Sequence, residues 1–221
     1  MITRKAFEKS LSNPILFWSD KAKEEVYELL GKDAADTVNY DQHNPHHCYD
    51  LFSHLLHTVD ALDSDVSIYL KAAAFFHDIA KPRVAMEKQG RLVFYGHAAK
   101  SAEIADPILA QLGYSPDERK LICFYIEHHD DFINWVLPEE KYDHRNTHLT
   151  PIMEMNLSAH IQSYNGIVEQ IGNSSDIWHE LIKLCEADAD SQAWYVYKDG
   201  RCIDSKAHKL RKLERILSLL K

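Results

Sequence analysis

The apolar run at residues 72–76 ends in the doublet His77-Asp78, and this change constrains the fold more than any other feature of the sequence. A helix that is apolar all round lies at the centre of its bundle, so the doublet is predicted at the end of a buried helix, residues 66–78. A buried carboxylate needs a partner charge or a metal ion. Because imidazole and carboxylate are both metal ligands, His77 and Asp78 are candidate ligands.

The doublet alone also fits an ordinary helix end. Pro82 would stop the helix there, and His77 or Lys81 would complement the helix dipole. Lys81 is therefore a candidate for charge balance at a catalytic site and, equally, a surface lysine at a helix end. The choice between these readings depends on whether the rest of the chain supplies further ligands.

Four more helices with apolar faces are predicted, and each carries histidine or aspartate within it or at one end. A helical bundle can aim such positions at one point. Asp50, one turn before His54, is predicted to hold the second nitrogen of that imidazole. A lone buried histidine is more often a hydrogen-bonded core residue than a ligand, so only the ordered set carries the prediction. The candidate ligands are His54, His77, Asp78, His97, His128 and Asp188.

Mixed nitrogen and oxygen ligands suit Mn, Fe, Co, Ni or Zn better than Mg, which prefers oxygen alone. One ion is predicted to bind His54, His77, Asp78 and Asp188. A second ion could share Asp78 and add His97 with either His128 or His129. Two such ions would activate a water molecule and bind phosphate oxygens.

The same residues fall in segments that resemble the HD superfamily of metal-dependent phosphohydrolases. Residues 42–54, QHNPHHCYDLFSH, resemble the NPYHxYDxFxH segment in the HD region of bacterial CCA-adding tRNA nucleotidyltransferases. Three further segments resemble that region in the same order: AAFFHDIAKP at 73–82, FYGH at 94–97 and LCEADA at 184–189. The resemblance spans roughly residues 40–220, and four segments in order make it specific.

The resemblance implies an all-α fold, an HD-domain helical bundle with a short hairpin or loop insertion. The insertion is expected at residues 86–96, turning at Gln89-Gly90. Residues 1–40 are expected to form an N-terminal helical arm that packs on the core, and residues 41–221 the HD domain. The similar enzymes also carry an N-terminal nucleotidyltransferase domain. The first 40 residues are too short for it and lack its motif, so HD chemistry is expected without CCA addition.

The implied activity is that of a phosphomonoesterase or phosphodiesterase, acting on a nucleotide or related small phosphoester through a metal-activated water. His77, Asp78 and Lys81 are the expected catalytic residues, with one or two divalent ions (Mn, Fe, Co, Ni, Zn or Mg) as cofactor. The candidate substrate contacts are Arg83, Arg91, Tyr95 and His129. The alternative is a non-catalytic module on the HD scaffold that binds a nucleotide or an RNA end.

Charge and cysteine content narrow the possible partners. The formal net charge of -9 argues against binding along a nucleic-acid backbone, although a tRNA or RNA end remains a possible ligand. The 4 cysteines form no CxxC pair, which fits a reducing, cytoplasmic compartment. No signal peptide is expected, and no apolar run is long enough for a membrane span. The basic side of the predicted last helix, residues 206–221, could serve a partner.

Overall fold

The computed structural model describes residues 1–134, 162, 165, 168, 169, 171, 174–198 and 200–219. The prediction of an all-α fold is confirmed, because the strands in these ranges form only two short hairpins. The helices are α1 Arg4–Ser10, α2 Pro14–Trp18, α3 Lys23–Leu30, α4 Lys32–Ala35, α5 Leu51–Asp60, α6 Ile68–Phe76, α7 Lys81–Val84, α8 His97–Leu112, α9 Pro116–His128, α10 Asp131–Asn134, α11 Ser174–Asp190 and α12 Ser205–Leu219. The strands are β1 Met86–Lys88, β2 Arg91–Val93, β3 Tyr195–Lys198 and β4 Arg201–Asp204.

The central helix α6 is buried along its apolar stretch and packs against α5, α9 and α11. The short helices of the first 40 residues share its core. Phe7 and Trp18 each lie 5.4 Å from the ring of Phe75, measured between ring centroids. Ser10 accepts a hydrogen bond of 2.9 Å from the Trp18 indole nitrogen, which satisfies the polar end of that buried ring. The domain boundary expected at residue 40 stays a prediction.

Helix α6 ends earlier than the sequence predicts, and this shortening matters for the site. The predicted helix runs to residue 78, whereas the observed one ends at Phe76 with His77 as its C-cap. Tight turns follow, in which Ile79 N–H donates to the Phe76 carbonyl oxygen and Lys81 N–H to that of Asp78. Adjacent residues on a continuous helix point about 100° apart. Because the doublet lies in a turn, both of its side chains reach the same centre.

Two hairpins interrupt the bundle. The first pairs β1 with β2 and turns at Gln89-Gly90, as predicted; both residues have positive φ (54° and 73°), as in a type I′ turn. The second pairs β3 with β4. The sequence of residues 194–200 predicts only one short strand and a turn there. This hairpin joins α11 to α12, which pack against each other.

Two predicted segments lie outside the described residues: the loop at 137–150 and nearly all of the helix at 152–168. In the part of the chain that the structure describes, no helix combines the length and apolar character that crossing a membrane requires.

Candidate metal centre

The turn after α6 places the Asp78 carboxylate between four imidazole rings. Its Oδ2 lies 3.3 Å from His77 Nε2 and 3.5 Å from His54 Nε2. Its Oδ1 lies 3.0 Å from His97 Nε2 and 3.5 Å from His129 Nε2. The two oxygens of one carboxylate therefore face two different pairs of histidines.

Asp188, near the end of α11, completes the first cluster. Its Oδ1 lies 3.1 Å from His54 Nε2 and 3.6 Å from His77 Nε2. The two Nε2 atoms are 3.2 Å apart. All three side chains are buried, and each offers a ligand atom within 4.8 Å of the others. Helices α5, α6 and α11 thus bring together three residues that are distant in sequence.

Backbone carbonyl groups orient three of the four rings. The Nδ1 contacts run from His77 to Ala74 O at 2.7 Å, from His129 to Ile126 O at 2.7 Å and from His97 to Phe94 O at 2.9 Å. A carbonyl oxygen can only accept a hydrogen bond, so Nδ1 carries the hydrogen in each ring. The lone pair of each neutral ring is then on Nε2, which faces the cluster. Metal-binding histidines adopt this arrangement.

The second cluster forms around the other oxygen of Asp78. The Nε2 atoms of His97 and His129 are 3.3 Å apart, and Asp130 Oδ2 lies 3.8 Å from His97 Nε2. Sequence reasoning missed Asp130, although it directly follows the histidine pair at the end of α9. His97, His129 and Asp130 can together hold a metal ion, with Asp78 shared between the clusters.

The sequence favours His128 as the ligand and His129 as a substrate contact but leaves open which of the two is the ligand, and the structure places His129 in the cluster. His129 Nε2 faces Asp78, whereas Nδ1 of His128 lies 2.8 Å from Asp131 Oδ2. The His128 ring packs against Phe124, although the residue also lines the cleft described below. Neighbouring residues at a helix end point in different directions, so only one of the pair reaches the centre.

Burial and charge compete at these groups. Burial opposes ionisation of Asp78, but Lys81 and His77 outweigh it and hold the pKa of Asp78 well below its usual range. His54 and His77 similarly hold the pKa of Asp188 well below its usual range against burial. Burial lowers the pKa of His77, but Asp78 and Asp188 outweigh it and raise that pKa to about 9. Without metal, protons on imidazole balance ionised carboxylates, and a divalent cation would displace those protons.

Lys81 is buried beside the first cluster. Its Nζ lies 2.5 Å from Asp78 Oδ2, 2.9 Å from Gln42 Oε1 and 3.4 Å from His47 Nε2. An ammonium group has three hydrogens, so these partners engage all of them. Burial lowers the pKa of His47 to about 2, and the charge of Lys81 contributes to this shift. The His47 ring is therefore neutral, and its Nε2 accepts a hydrogen bond from Lys81. Lys81 therefore keeps Asp78 ionised and in place.

A cleft of about 790 Å³ opens onto the centre, and its lining includes Asp78, His97 and His129. Of the predicted substrate contacts on the segment after the doublet, Tyr95 lines this cleft and its side chain is exposed. Arg83 does not line it, because its Nε donates to Asp33 in α4 and this contact holds the side chain there. Arg91 lines a separate surface pocket on the first hairpin.

The second ring nitrogen of His54 does not contact Asp50, the partner that the sequence predicts. Asp50 is the N-cap of α5, where its side chain accepts from the Ser53 backbone N–H. The Nδ1 atom of His54 instead lies 3.2 Å from Ser191 Oγ and 3.4 Å from Ser191 O, beyond the end of α11. A cap residue is identified by its position before a helix, and Asp50 has that position in the sequence. A partner 137 positions away has no comparable sequence signal.

One buried atom shows that protein groups alone do not satisfy the centre. Asp78 Oδ1 is buried, and neither the His97 ring nor the His129 ring, nor any other described residue, donates a well-oriented hydrogen bond to it. Buried polar atoms in proteins are nearly always hydrogen-bonded. A cation between this oxygen and the lone pairs of His97 and His129 would provide the missing interaction. The mixed imidazole and carboxylate donors therefore fit a divalent metal ion.

A buried cluster of histidines and aspartates at the centre of a helical bundle defines a candidate metal site. The sequence profile of the HD domain family matches residues 46–164, more than half of the chain. The chain therefore belongs to the HD domain family. The matched segment contains every residue of the two clusters except Asp188, which lies beyond it. The comparison with curated proteins returned no match.

Proposed function

We propose that this chain is a metal-dependent phosphohydrolase acting on a nucleotide or a related small phosphoester, either a monoester or a diester. The observation that carries the proposal is the position of Asp78. Its two oxygens face two pairs of imidazole Nε2 atoms at 3.0–3.5 Å, and Oδ1 receives no well-oriented hydrogen bond from the described residues. Such a carboxylate is suited to bridge two cations.

The first ion would be held by His54, His77, Asp78 and Asp188. The second would be held by Asp78, His97, His129 and Asp130. This donor set favours Mn, Fe, Co, Ni or Zn over Mg. Divalent ions supply charge neutralisation for a phosphoryl group and lower the pKa of a coordinated water.

The chain's own residues hold and orient the ligands. The carbonyl groups of Ala74 and Ile126 fix the rings of His77 and His129 with Nε2 towards the centre. Lys81 keeps Asp78 ionised through a contact of 2.5 Å. Because all three of its hydrogens are engaged inside the protein, we assign Lys81 a positioning role and not the catalytic role that the sequence predicts.

A small substrate fits the dimensions and charge of the site. The cleft of about 790 Å³ is within the usual range for small-molecule pockets, roughly 300–1,000 Å³. The net charge of -9 disfavours extended contact with nucleic-acid backbone. The resemblance of four segments to the HD region of CCA-adding enzymes supports a nucleotide or an RNA end. All four cysteines are free, which supports the proposal of a reducing, cytoplasmic location.

The second candidate function is a module that binds a nucleotide or RNA end without turnover. One observation favours the enzyme. The ionised carboxylates of Asp78 and Asp188 are costly to bury, and they lie among metal-type donors beside an open cleft. A module that only binds a nucleotide would need the cleft but not the buried charge.

Hydrolysis by Mn²⁺-loaded protein tests the proposal, measured as phosphate released from the monoesters and as 2′- or 3′-AMP formed from the cyclic diester. The panel comprises 5′-AMP, 2′,3′-cyclic AMP and p-nitrophenyl phosphate. We expect hydrolysis of at least one compound, abolished by EDTA and reduced at least about a hundredfold in His77→Ala, which loses a ligand. Equal turnover in wild type and His77→Ala would contradict the proposal. Nucleotide binding with retained metal and no hydrolysis of any compound would favour the binding module.

A further inference from the structure

Lys209 faces the cleft, although the sequence predicts an exposed basic side for the last helix. Lys209, Arg211 and Lys212 all belong to that predicted side. In the structure Lys212 is buried, Arg211 is exposed, and Lys209 lines the cleft together with Gln192. The packing of α12 against α11 thus turns part of the basic side of α12 towards the metal centre.

A single glutamine joins Lys209 to the first cluster. Lys209 Nζ donates to Gln192 Oε1. Gln192 Nε2 lies 2.9 Å and 3.0 Å from the two carboxylate oxygens of Asp188. One side-chain amide therefore separates a lysine ammonium group from a candidate metal ligand.

The Lys209 ammonium group has unused hydrogen-bonding capacity. It carries three hydrogens, and Gln192 is the only partner found among the residues that the structure describes. Lys81, the other described lysine that lines the cleft, has all three hydrogens engaged. Burial lowers the pKa of Lys209, since the cleft removes part of its hydration. An anion placed beside it would offset that loss.

We infer that Lys209, held in place by Gln192, forms a subsite for a second anionic group of the substrate. The inference rests on the proposed function, in which the metal centre binds the scissile phosphoryl group. The subsite narrows the substrate class to nucleotides with another negative group next to the phosphoryl group at the metal centre, such as nucleoside diphosphates. Simple monoesters would leave it empty.

Binding of AMP and ADP to Mn²⁺-loaded protein tests the subsite. Calorimetric titrations in excess Mn²⁺ are made on wild type, Lys209→Met and the control Arg211→Met, which removes the same charge from an exposed position of α12. Metal content is measured for each protein, and the titrated solutions are analysed for AMP, adenosine and phosphate. Product found there separates the heat of hydrolysis from the heat of nucleotide binding.

We expect wild type to bind ADP more tightly than AMP. Lys209→Met should weaken ADP binding about tenfold and AMP binding less than about twofold, while Arg211→Met changes neither by more than about twofold. An unchanged preference for ADP in Lys209→Met would overturn the inference. Loss of manganese from Lys209→Met would also overturn it, because Lys209 would then act through Gln192 and Asp188. Lys209-dependent ADP binding without hydrolysis of either ADP or AMP would support the subsite and contradict the proposed hydrolysis.

Discussion

Replacing Asp78 with asparagine separates the two roles that the structure gives this residue. The change removes one negative charge and preserves the shape of the side chain. Asp78 is a candidate ligand for both ions, and it is also the charge partner of Lys81 at 2.5 Å. Asp78→Asn should therefore weaken metal binding and, independently, destabilise the metal-free protein.

The stability effect follows from the burial of the pair. Asp78 is 1% exposed and Lys81 is 4% exposed, so the variant leaves a buried ammonium group without its charge partner. Breaking a buried pair from one side costs about 3–5 kcal/mol. For a chain of 221 residues this lowers the Tm of metal-free protein by about 6–20 °C. The double variant Asp78→Asn/Lys81→Met also removes the buried ammonium group and should recover most of the loss.

Thermal unfolding followed by circular dichroism measures both effects, with EDTA and with Mn²⁺ at about a hundred times its Kd. Wild type should gain about 2.7 kcal/mol from that metal concentration, or about 5–11 °C. Asp78→Asn should gain little. If its Tm in EDTA lies within about 2 °C of wild type and its manganese shift is equal, the reasoning about Asp78 and Lys81 is refuted.

Three further predictions concern single groups. In a manganese titration, His129→Asn should weaken binding at least about tenfold and His128→Asn less than about twofold. Equal effects of the two variants would contradict the assignment of His129 as the ligand. The pKa of His77 in the folded metal-free protein is about 9, above its ordinary value of 6.5. Protonation of His77 therefore stabilises the fold fully below about pH 6.5, and this stabilisation is lost as the pH rises to about 9. A free energy of unfolding that rises between about pH 6.5 and about 9 in EDTA would contradict this prediction. Asp50→Ala removes the N-cap of α5 and should lower the free energy of unfolding by about 1 kcal/mol, while the manganese affinity stays unchanged. Weaker manganese binding would show instead that Asp50 orients His54.

The sequence predicts the elements of the site better than the directions of its side chains. Apolar periodicity and the order of the ligands locate His54, His77, Asp78, His97 and Asp188 on the correct helix or helix end, because each interrupts an apolar pattern. The choice between His128 and His129 depends on the rotation of α9 about its own axis. Packing sets that rotation, and two adjacent histidines give no periodic signal to decide it.

The sequence pattern does not predict side-chain positions that depend on tertiary contacts. Arg83 is close to the doublet in sequence, but a contact with Asp33, 50 positions earlier, directs its side chain elsewhere. Lys209 lies on a predicted basic face, and its position in the cleft follows from how the second hairpin folds α12 back onto α11. A local pattern of charge shows which residues share a helix face but not which neighbour covers that face.

Anomalous diffraction from crystals grown with Mn²⁺ tests the central claim most directly. Peaks at the manganese edge locate the ions without reference to the reaction. We predict a peak within about 2.0–2.5 Å of ligand atoms from His54, His77, Asp78 and Asp188, lost in Asp78→Asn. Hydrolysis by a protein whose crystals show manganese only away from this cluster would contradict the account.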